Sequence, residues 1–268
     1  MTEIYELLKF FLLGLFQGFT EPIPISSSGH LVMLQSLMDI DLPGLTFEAF
    51  INFGSLIAVL IVYRKDIIAL VVNGSNYLFK RDQAYQQDFY YLFLLFIATI
   101  PAGILGALFN SEIGAIQAQM VGVTLILTAI ALWIIRNLKG YKGDAEITWK
   151  DALIIGFAQA VSLIPGISRS GATIVAAMLV GFKRSSALRF SFLMYIPVSL
   201  GTMVLATGDI MSDPEISSQF VLYLVSLLAA IVSSYFALLF FINVMKAGNL
   251  KYFAFYCATV GILAIIFL

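Results

Sequence analysis

Read for its alternation of apolar and polar positions, the chain is a series of long apolar runs, two of which are interrupted by short polar stretches. Residues 4 to 21 are apolar, with small residues at Gly14 and Gly18. Pro22 and Pro24 then break the run, and residues 31 to 38 are apolar again but too short to span a bilayer. A helix, a break and a short helix predict a re-entrant hairpin. Full spans are predicted at 45–63, 89–109 and 117–136, separated by a basic loop at 64–88 and a short turn around Asn110 and Glu112. A polar stretch, 137–150, follows. The order then repeats: an apolar helix at 151–164, a break from Pro165 to Gly171, a short apolar helix to Gly181, and spans near 187–206, 220–242 and 250–268.

The repetition extends to individual residues. A shift of 142 positions (156 minus 14) lays Gly14 on Gly156, Gln17 on Gln159, Ile25 on Ile167, Ser26 on Ser168, Ser28 on Ser170 and Gly29 on Gly171, without a gap. These matches fall on Ser, Gly and Gln, which an apolar span would not select, so they read as an internal duplication. The chain is predicted to be an all-α integral membrane protein, one membrane domain over 1–268, with a first repeat at 1–136 and a second at 151–268. Each half holds a hairpin and three crossings. Three is odd, so the second half is expected to be inverted relative to the first.

Charge tests that topology independently. Of the 15 Lys and Arg residues, all except Lys9 and Arg169 fall at 64–88, 136–150, 183–189 and 243–251, whereas 38–46, 110–116 and 207–219 carry none. The positive-inside rule makes the basic side cytoplasmic. Both termini are then outside, and the first hairpin opens to the extracytoplasmic side of the plasma (inner) membrane.

Composition narrows the class. With 60% hydrophobic residues, 12% charged and a mean hydropathy of +0.96, the chain lacks the polar surface to cover a soluble domain of its size. Apolar runs of about 20 residues fit helical spans rather than barrel strands. Glu3 and Glu6 stand at the start of the first run, so no signal peptide is expected. A net charge of -1 without a basic arm argues against nucleic acid as a partner. Cys257 stands alone, excluding a disulfide framework, and His30 is the single histidine.

The two breaks carry the candidate chemistry. In the second, Ser168, Arg169, Ser170 and Thr173 follow Pro165-Gly166 and open a helix, so free N–H groups, hydroxyls and a guanidinium can converge on an anion such as phosphate. In the first, Ser26, Ser27 and Ser28 precede His30. Ser27 is three residues and Ser26 four residues from the imidazole, close enough for a hydroxyl and a base to meet across one turn. Ser27 is the expected nucleophile with His30 as its base, while attack by Ser26 or by His30 itself stays open. Glu21 has three roles open to it: holding a divalent cation, taking a proton, or pairing with Arg169.

At these residues the sequence resembles the undecaprenyl-diphosphate phosphatase family, integral membrane enzymes linked to bacitracin resistance. The resemblance rests on Gln17-x-x-x-Glu21 with Pro24-Ile-Ser-Ser-Ser-Gly-His30, on Pro165-Gly-Ile-Ser168-Arg169-Ser170-Gly-Ala-Thr173, and on Phe47-Glu48 and Phe190-Ser-Phe-Leu193. It implies hydrolysis of undecaprenyl diphosphate to the monophosphate and inorganic phosphate, which recycles the lipid carrier for cell-wall polymers, with Mg2+ or Ca2+ as cofactor. It also implies Glu21, Ser27, His30 and Arg169 as catalytic residues, Ser26, Ser28, Ser168, Ser170 and Thr173 as substrate binders, and Glu21 with Gln17 at the metal. A homodimer is left open. Two positions depart from the family: Gln17 stands where many relatives carry Glu, and Arg189 where an acidic residue is expected. Two other classes compete. Inverted repeats with broken helices also describe a secondary transporter or flippase of a polyprenyl-phosphate lipid. Lipid phosphatases that use a phosphohistidine need a second catalytic histidine, which this chain does not have.

Overall fold

The computed structural model describes residues 2–38, 44–108, 118–212 and 219–267. Among these the chain is helical and forms no strand. Its helices are α1 (Thr2–Thr20), α2 (Ser27–Met38), α3 (Gly44–Val62), α4 (Arg64–Lys80), α5 (Gln86–Leu108), α6 (Ala118–Ile135), α7 (Trp149–Val161), α8 (Arg169–Leu179), α9 (Arg184–Ser212), α10 (Phe220–Ala247) and α11 (Lys251–Phe267). Both predicted breaks are present, at 21–26 and 162–168. The turn expected around Asn110 and Glu112 lies outside the described residues.

Among the described residues, three segments are long and apolar enough to cross a membrane: Gln83–Leu108, Arg184–Gly208 and Phe220–Ala247, with mean hydropathies of 2.2, 1.6 and 2.4. Their outer faces carry exposed Phe96, Val204, Leu205 and Phe236, the side chains a lipid solvent accepts. The protein is a membrane protein.

One element differs from expectation. The basic stretch 64–88, read as a loop, contains α4 and a short 3-10 turn at Gln83–Tyr85. Ile67, Leu70 and Val71 give it an apolar side, diluted in the overall hydropathy by its charged ends. Those ends also favour the helix: Asp66 sits in its first turn, Lys80 in its last, and Arg81 closes it in the left-handed conformation at φ 54°. α4 packs on α5, where Asn73 donates to Asp88 at 2.7 Å.

Small residues set the helix pairing. A Cβ on Gly14 would lie 2.0 Å from the Ser226 carbonyl oxygen, and one on Gly18 2.3 Å from that of Ala230, so α1 and α10 run in the same direction in backbone contact. Gly156 meets the Ala98 carbonyl in the same way, joining α7 to α5. α3 packs against α10 and α9 against α5, while α3 with α9 and α6 with α11 join the two halves. The main core, including Leu56, Leu94, Leu125, Ile174, Phe190 and Phe241, fills the space between these pairs.

On the basic side, Arg189 bridges two carboxylates. Its guanidinium reaches Asp66 at 2.8 Å and Asp144 at 2.5 Å, tying α4 and the 137–148 segment to α9. Nearby, Thr148 caps α7, and Lys142 lies 2.9 Å from Asp151 in its first turn.

Candidate active site

Each break is a proline-bearing turn that stops one helix and a serine that starts the next. Thr20 bonds back to the Gln17 carbonyl at 3.3 Å, and Ser162 to that of Gln159 at 2.7 Å. Ser26 takes a positive φ of 68°, and its Oγ accepts from the Gly29 N–H at 3.3 Å, capping α2. Ser168 Oγ accepts from the Gly171 N–H at 3.1 Å and caps α8. The hydroxyls of Ser26 and Ser28 are 3.5 Å apart, and those of Ser168 and Ser170 3.3 Å. Gly166 holds φ 86° where a Cβ would fall 1.8 Å from Thr124 Oγ1, so no other residue fits there.

The two turns press on one another. A Cβ on Gly29 would lie 3.1 Å from Gly166 Cα, one on Gly171 3.5 Å from Pro24 Cβ, and Ser170 Oγ donates to the Ile23 carbonyl at 3.4 Å.

Glu21 is where they join chemically. Arg169 Nη2 donates to Glu21 Oε1 at 2.5 Å; Gln17 Nε2 donates to Oε2 at 3.0 Å, and Ser27 Oγ donates to the same oxygen. The other arm of Arg169 donates to Ser199 Oγ at 3.2 Å, and its guanidinium lies 4.3 Å from the centre of the Tyr195 ring. Tyr195 is fixed in turn by Asn52 Oδ1 at 2.6 Å. Glu48 lies on the α3 face that continues through Asn52, Ser55 and Val59.

His30 is placed differently from the sequence expectation. Its Nδ1 lies 2.8 Å from the Ser26 carbonyl oxygen and its Nε2 2.9 Å from the Tyr256 hydroxyl. A carbonyl only accepts, so Nδ1 carries the proton and Nε2 of the neutral ring accepts from Tyr256. The imidazole stacks on Tyr256 at 5.5 Å with 10° between planes. Both ring nitrogens are therefore engaged, and the Ser27 hydroxyl bonds to Glu21 instead. Ser27 stands at the first position of α2 and turns back over the break, while the imidazole folds onto the carbonyl four residues before it. Thr173 also sits to one side, its hydroxyl 2.6 Å from Ser191 and donating to the Arg169 carbonyl at 2.9 Å.

Gln17 Oε1 is buried with no hydrogen-bond partner among the described residues, beside the Glu21 carboxylate. An orphaned amide oxygen next to a carboxylate fits a hard, oxygen-seeking cation such as Mg2+ or Ca2+. No cluster of three His, Cys, Asp or Glu occurs among the described residues. Behind Arg169 lies a cavity of about 20 Å³ lined by Glu21, Ser55, Arg169, Ser191, Tyr195 and Ser234, into which the unpartnered hydroxyls of Ser55 and Ser234 are buried.

Sequence reasoning missed Tyr256, Tyr195, Asn52, Ser191 and Ser199 as neighbours of the site. All lie within apolar helices, and only the Phe190-to-Leu193 stretch gave any signal.

Comparison with known proteins covers the whole chain. The family model described as bacitracin resistance protein BacA matches residues 10–263. Undecaprenyl-diphosphatase 2 of Bacillus thuringiensis (strain Al Hakam) is 54% identical over 270 residues, covering 100% of both chains. Undecaprenyl-diphosphatase of Oceanobacillus iheyensis is 53% identical, over 99% of this chain and 98% of that one. Undecaprenyl-diphosphatase 1 of Halalkalibacterium halodurans is 48% identical, over 98% and 97% respectively.

Proposed function

The chain belongs to the family described as bacitracin resistance protein BacA, and from that premise we propose that it is an undecaprenyl-diphosphatase, releasing the terminal phosphate of undecaprenyl diphosphate to leave the monophosphate. The observation that carries this reading is the meeting of Ser27, Glu21 and Arg169, from two motifs far apart in sequence, at one carboxylate. The product is the lipid carrier that cell-wall polymer synthesis reuses.

A diphosphate headgroup enters against Arg169, whose planar fork matches phosphate oxygens, and against the hydroxyls and free N–H groups at the starts of α2 and α8. Ser27 Oγ attacks the terminal phosphorus as its proton passes to Glu21 Oε2. The bond from phosphorus to the bridging oxygen breaks, and undecaprenyl phosphate leaves. Water then cleaves the phosphoserine and restores the hydroxyl. Arg169 stabilises the charge that builds on the phosphoryl oxygens. His30, oriented by Ser26 and Tyr256, presents Nε2 as the one ring atom able to exchange its partner for substrate. Glu21 and Gln17 Oε1 are the groups that would hold a Mg2+ or Ca2+ ion together with substrate oxygens. Such an ion supplies neutralisation of diphosphate charge.

The inverted repeat is part of the same reading. The pairing of α1 with α10 is repeated by α7 with α5, and that of α3 with α10 by α9 with α5, as the 142-residue shift requires. The matched caps at Ser26 and Ser168, and the crossed contacts of Gly29 with Gly166 and Gly171 with Pro24, support two hairpins whose tips meet at depth. The charge partition supports an orientation with both termini outside and the first hairpin opening outward, in the plasma membrane as the family resemblance implies.

Phosphate release by purified protein from undecaprenyl diphosphate, with and without chelator, tests the proposal. Activity abolished by chelator and by Ser27→Ala is the expected result. Lipid movement across vesicles without phosphate release points to a flippase instead.

A further inference from the structure

The outer, lipid-facing side of the α1–α10 seam holds a second cavity of about 640 Å³, distinct from the small polar one. We infer that it is the track in which the polyprenyl chain of the substrate lies during turnover, an inference that rests on the phosphatase reading above.

The groove arises from the seam itself. Because Gly14 and Gly18 let the α1 backbone touch α10 at Ser226 and Ala230, the larger side chains on either side stand as walls, Leu15 and Phe19 from α1 and Phe236 and Phe240 from α10. Ala229 and Ser233 form its floor. Small residues between large apolar ones leave an open groove along the seam. On α10 the lining runs from Val225 to Phe240, roughly 22 Å at 1.5 Å per residue, long enough for several isoprene units.

Its position identifies the occupant. The two helices run in the same direction, so the end of α1 at Thr20 lies beside Ser233 and Ser234. Ser233 lines the groove, whereas Ser234 lines the polar cavity. At the end of α1, Phe19 lies in the groove, while Glu21 and Pro22, in the break just beyond the helix, line the cavity. One residue on α10 and two along the chain at the end of α1 thus divide an apolar groove from a pocket holding a guanidinium and a carboxylate. A ligand with a diphosphate at one end and a hydrocarbon chain at the other fits that junction: its head on Arg169 and its first isoprene units in the groove. An acyl chain of the surrounding bilayer fits the groove alone and has no reason to begin at the Ser233 level, midway along it.

Steady-state kinetics with a long and a short substrate test this. Phe11 and Phe240 line the two ends of the groove and are exposed, so their removal leaves the packing of α1 on α10 intact. In Phe11→Ala/Phe240→Ala, KM for undecaprenyl diphosphate should rise about tenfold, the order expected from losing a buried aromatic contact, while KM for geranyl diphosphate stays within about twofold. Photolabelling by a polyprenyl diphosphate bearing a diazirine on its first isoprene units should mark peptides of α1 or α10. Unchanged KM for both substrates means that the groove holds bulk lipid and overturns the inference, as does an equal rise for both or labelling confined to α6 and α11. If the unaltered protein releases phosphate from neither substrate, the phosphatase reading fails and this one with it.

Discussion

Ser27 donates its hydrogen bond to Glu21 and not to His30, although the imidazole stands one helical turn away. In the proposed mechanism the carboxylate would then receive the proton of the Ser27 hydroxyl, and the histidine would orient and polarise. Ser27→Ala and Glu21→Gln should each lower turnover by about 10²–10⁴-fold, with His30→Ala losing less. Phosphate-release rates check this. If His30→Ala is as inactive as Ser27→Ala and is rescued by added imidazole, the base is His30.

Tyr256 holds the ring nitrogen of His30 that is not already committed to the Ser26 carbonyl. Tyr256→Phe keeps the stacked ring but removes the hydroxyl, and should cost about five- to tenfold in kcat/KM, the worth of one hydrogen bond. Tyr256→Ala, which also removes the stack, should cost more. Equal losses in both variants assign the effect to packing alone.

Arg169 was read from sequence as a phosphate binder, and its ion pair with Glu21 gives it a second role. The Glu21 side chain is 9% exposed. Arg169→Ala should therefore lose activity and also about 3 kcal/mol of stability, because a buried carboxylate is left unpaired. The double variant Arg169→Ala/Glu21→Ala should recover most of the stability and none of the activity. Thermal unfolding in detergent, set against phosphate release, separates the two effects.

Gln17 contributes an unpartnered amide oxygen where a carboxylate would contribute charge. Gln17→Glu should keep activity and lower the Mg2+ concentration that gives half-maximal rate. An unchanged metal requirement places the ion away from this residue.

Asp151 offers a pH test outside the spans. Burial pushes its carboxyl up, but hydrogen bonds from Lys142 and Thr148 outweigh that and hold it below its ordinary value. A carboxylate lowered in the folded state adds stability above its unfolded pKa of about 3.9 and loses it as pH falls through the folded value. The Tm deficit of Asp151→Asn should accordingly be present near neutral pH and shrink below about pH 4. A deficit that does not change with pH points to packing instead.

How much of this was legible follows from where each signal resides. Apolar run length and proline position are local properties, so the helices around both breaks emerged within a few residues of their observed ends. α4 did not, because its charged ends mask an apolar side visible only when it lies on α5. Ser27, Glu21 and Arg169 were legible as polar groups in an apolar setting. The pair of Glu21 with Arg169 was one of the roles left open, but that of Ser27 with Glu21 was not foreseen, since spacing along one helix favoured Ser27 with His30, whereas the partner came from across the break. Tyr256 and Tyr195 were invisible for the opposite reason: an aromatic residue in an apolar helix is unremarkable until its hydroxyl is seen to have a partner.

The cavity behind Arg169, at about 20 Å³, has room for little more than one water molecule. A phosphoryl group is far larger, so a headgroup held by Arg169 would rest at the mouth of the cavity and leave its depth to water. The buried hydroxyls of Ser55 and Ser234, which have no partner among the described residues, are the groups that would bind such a water.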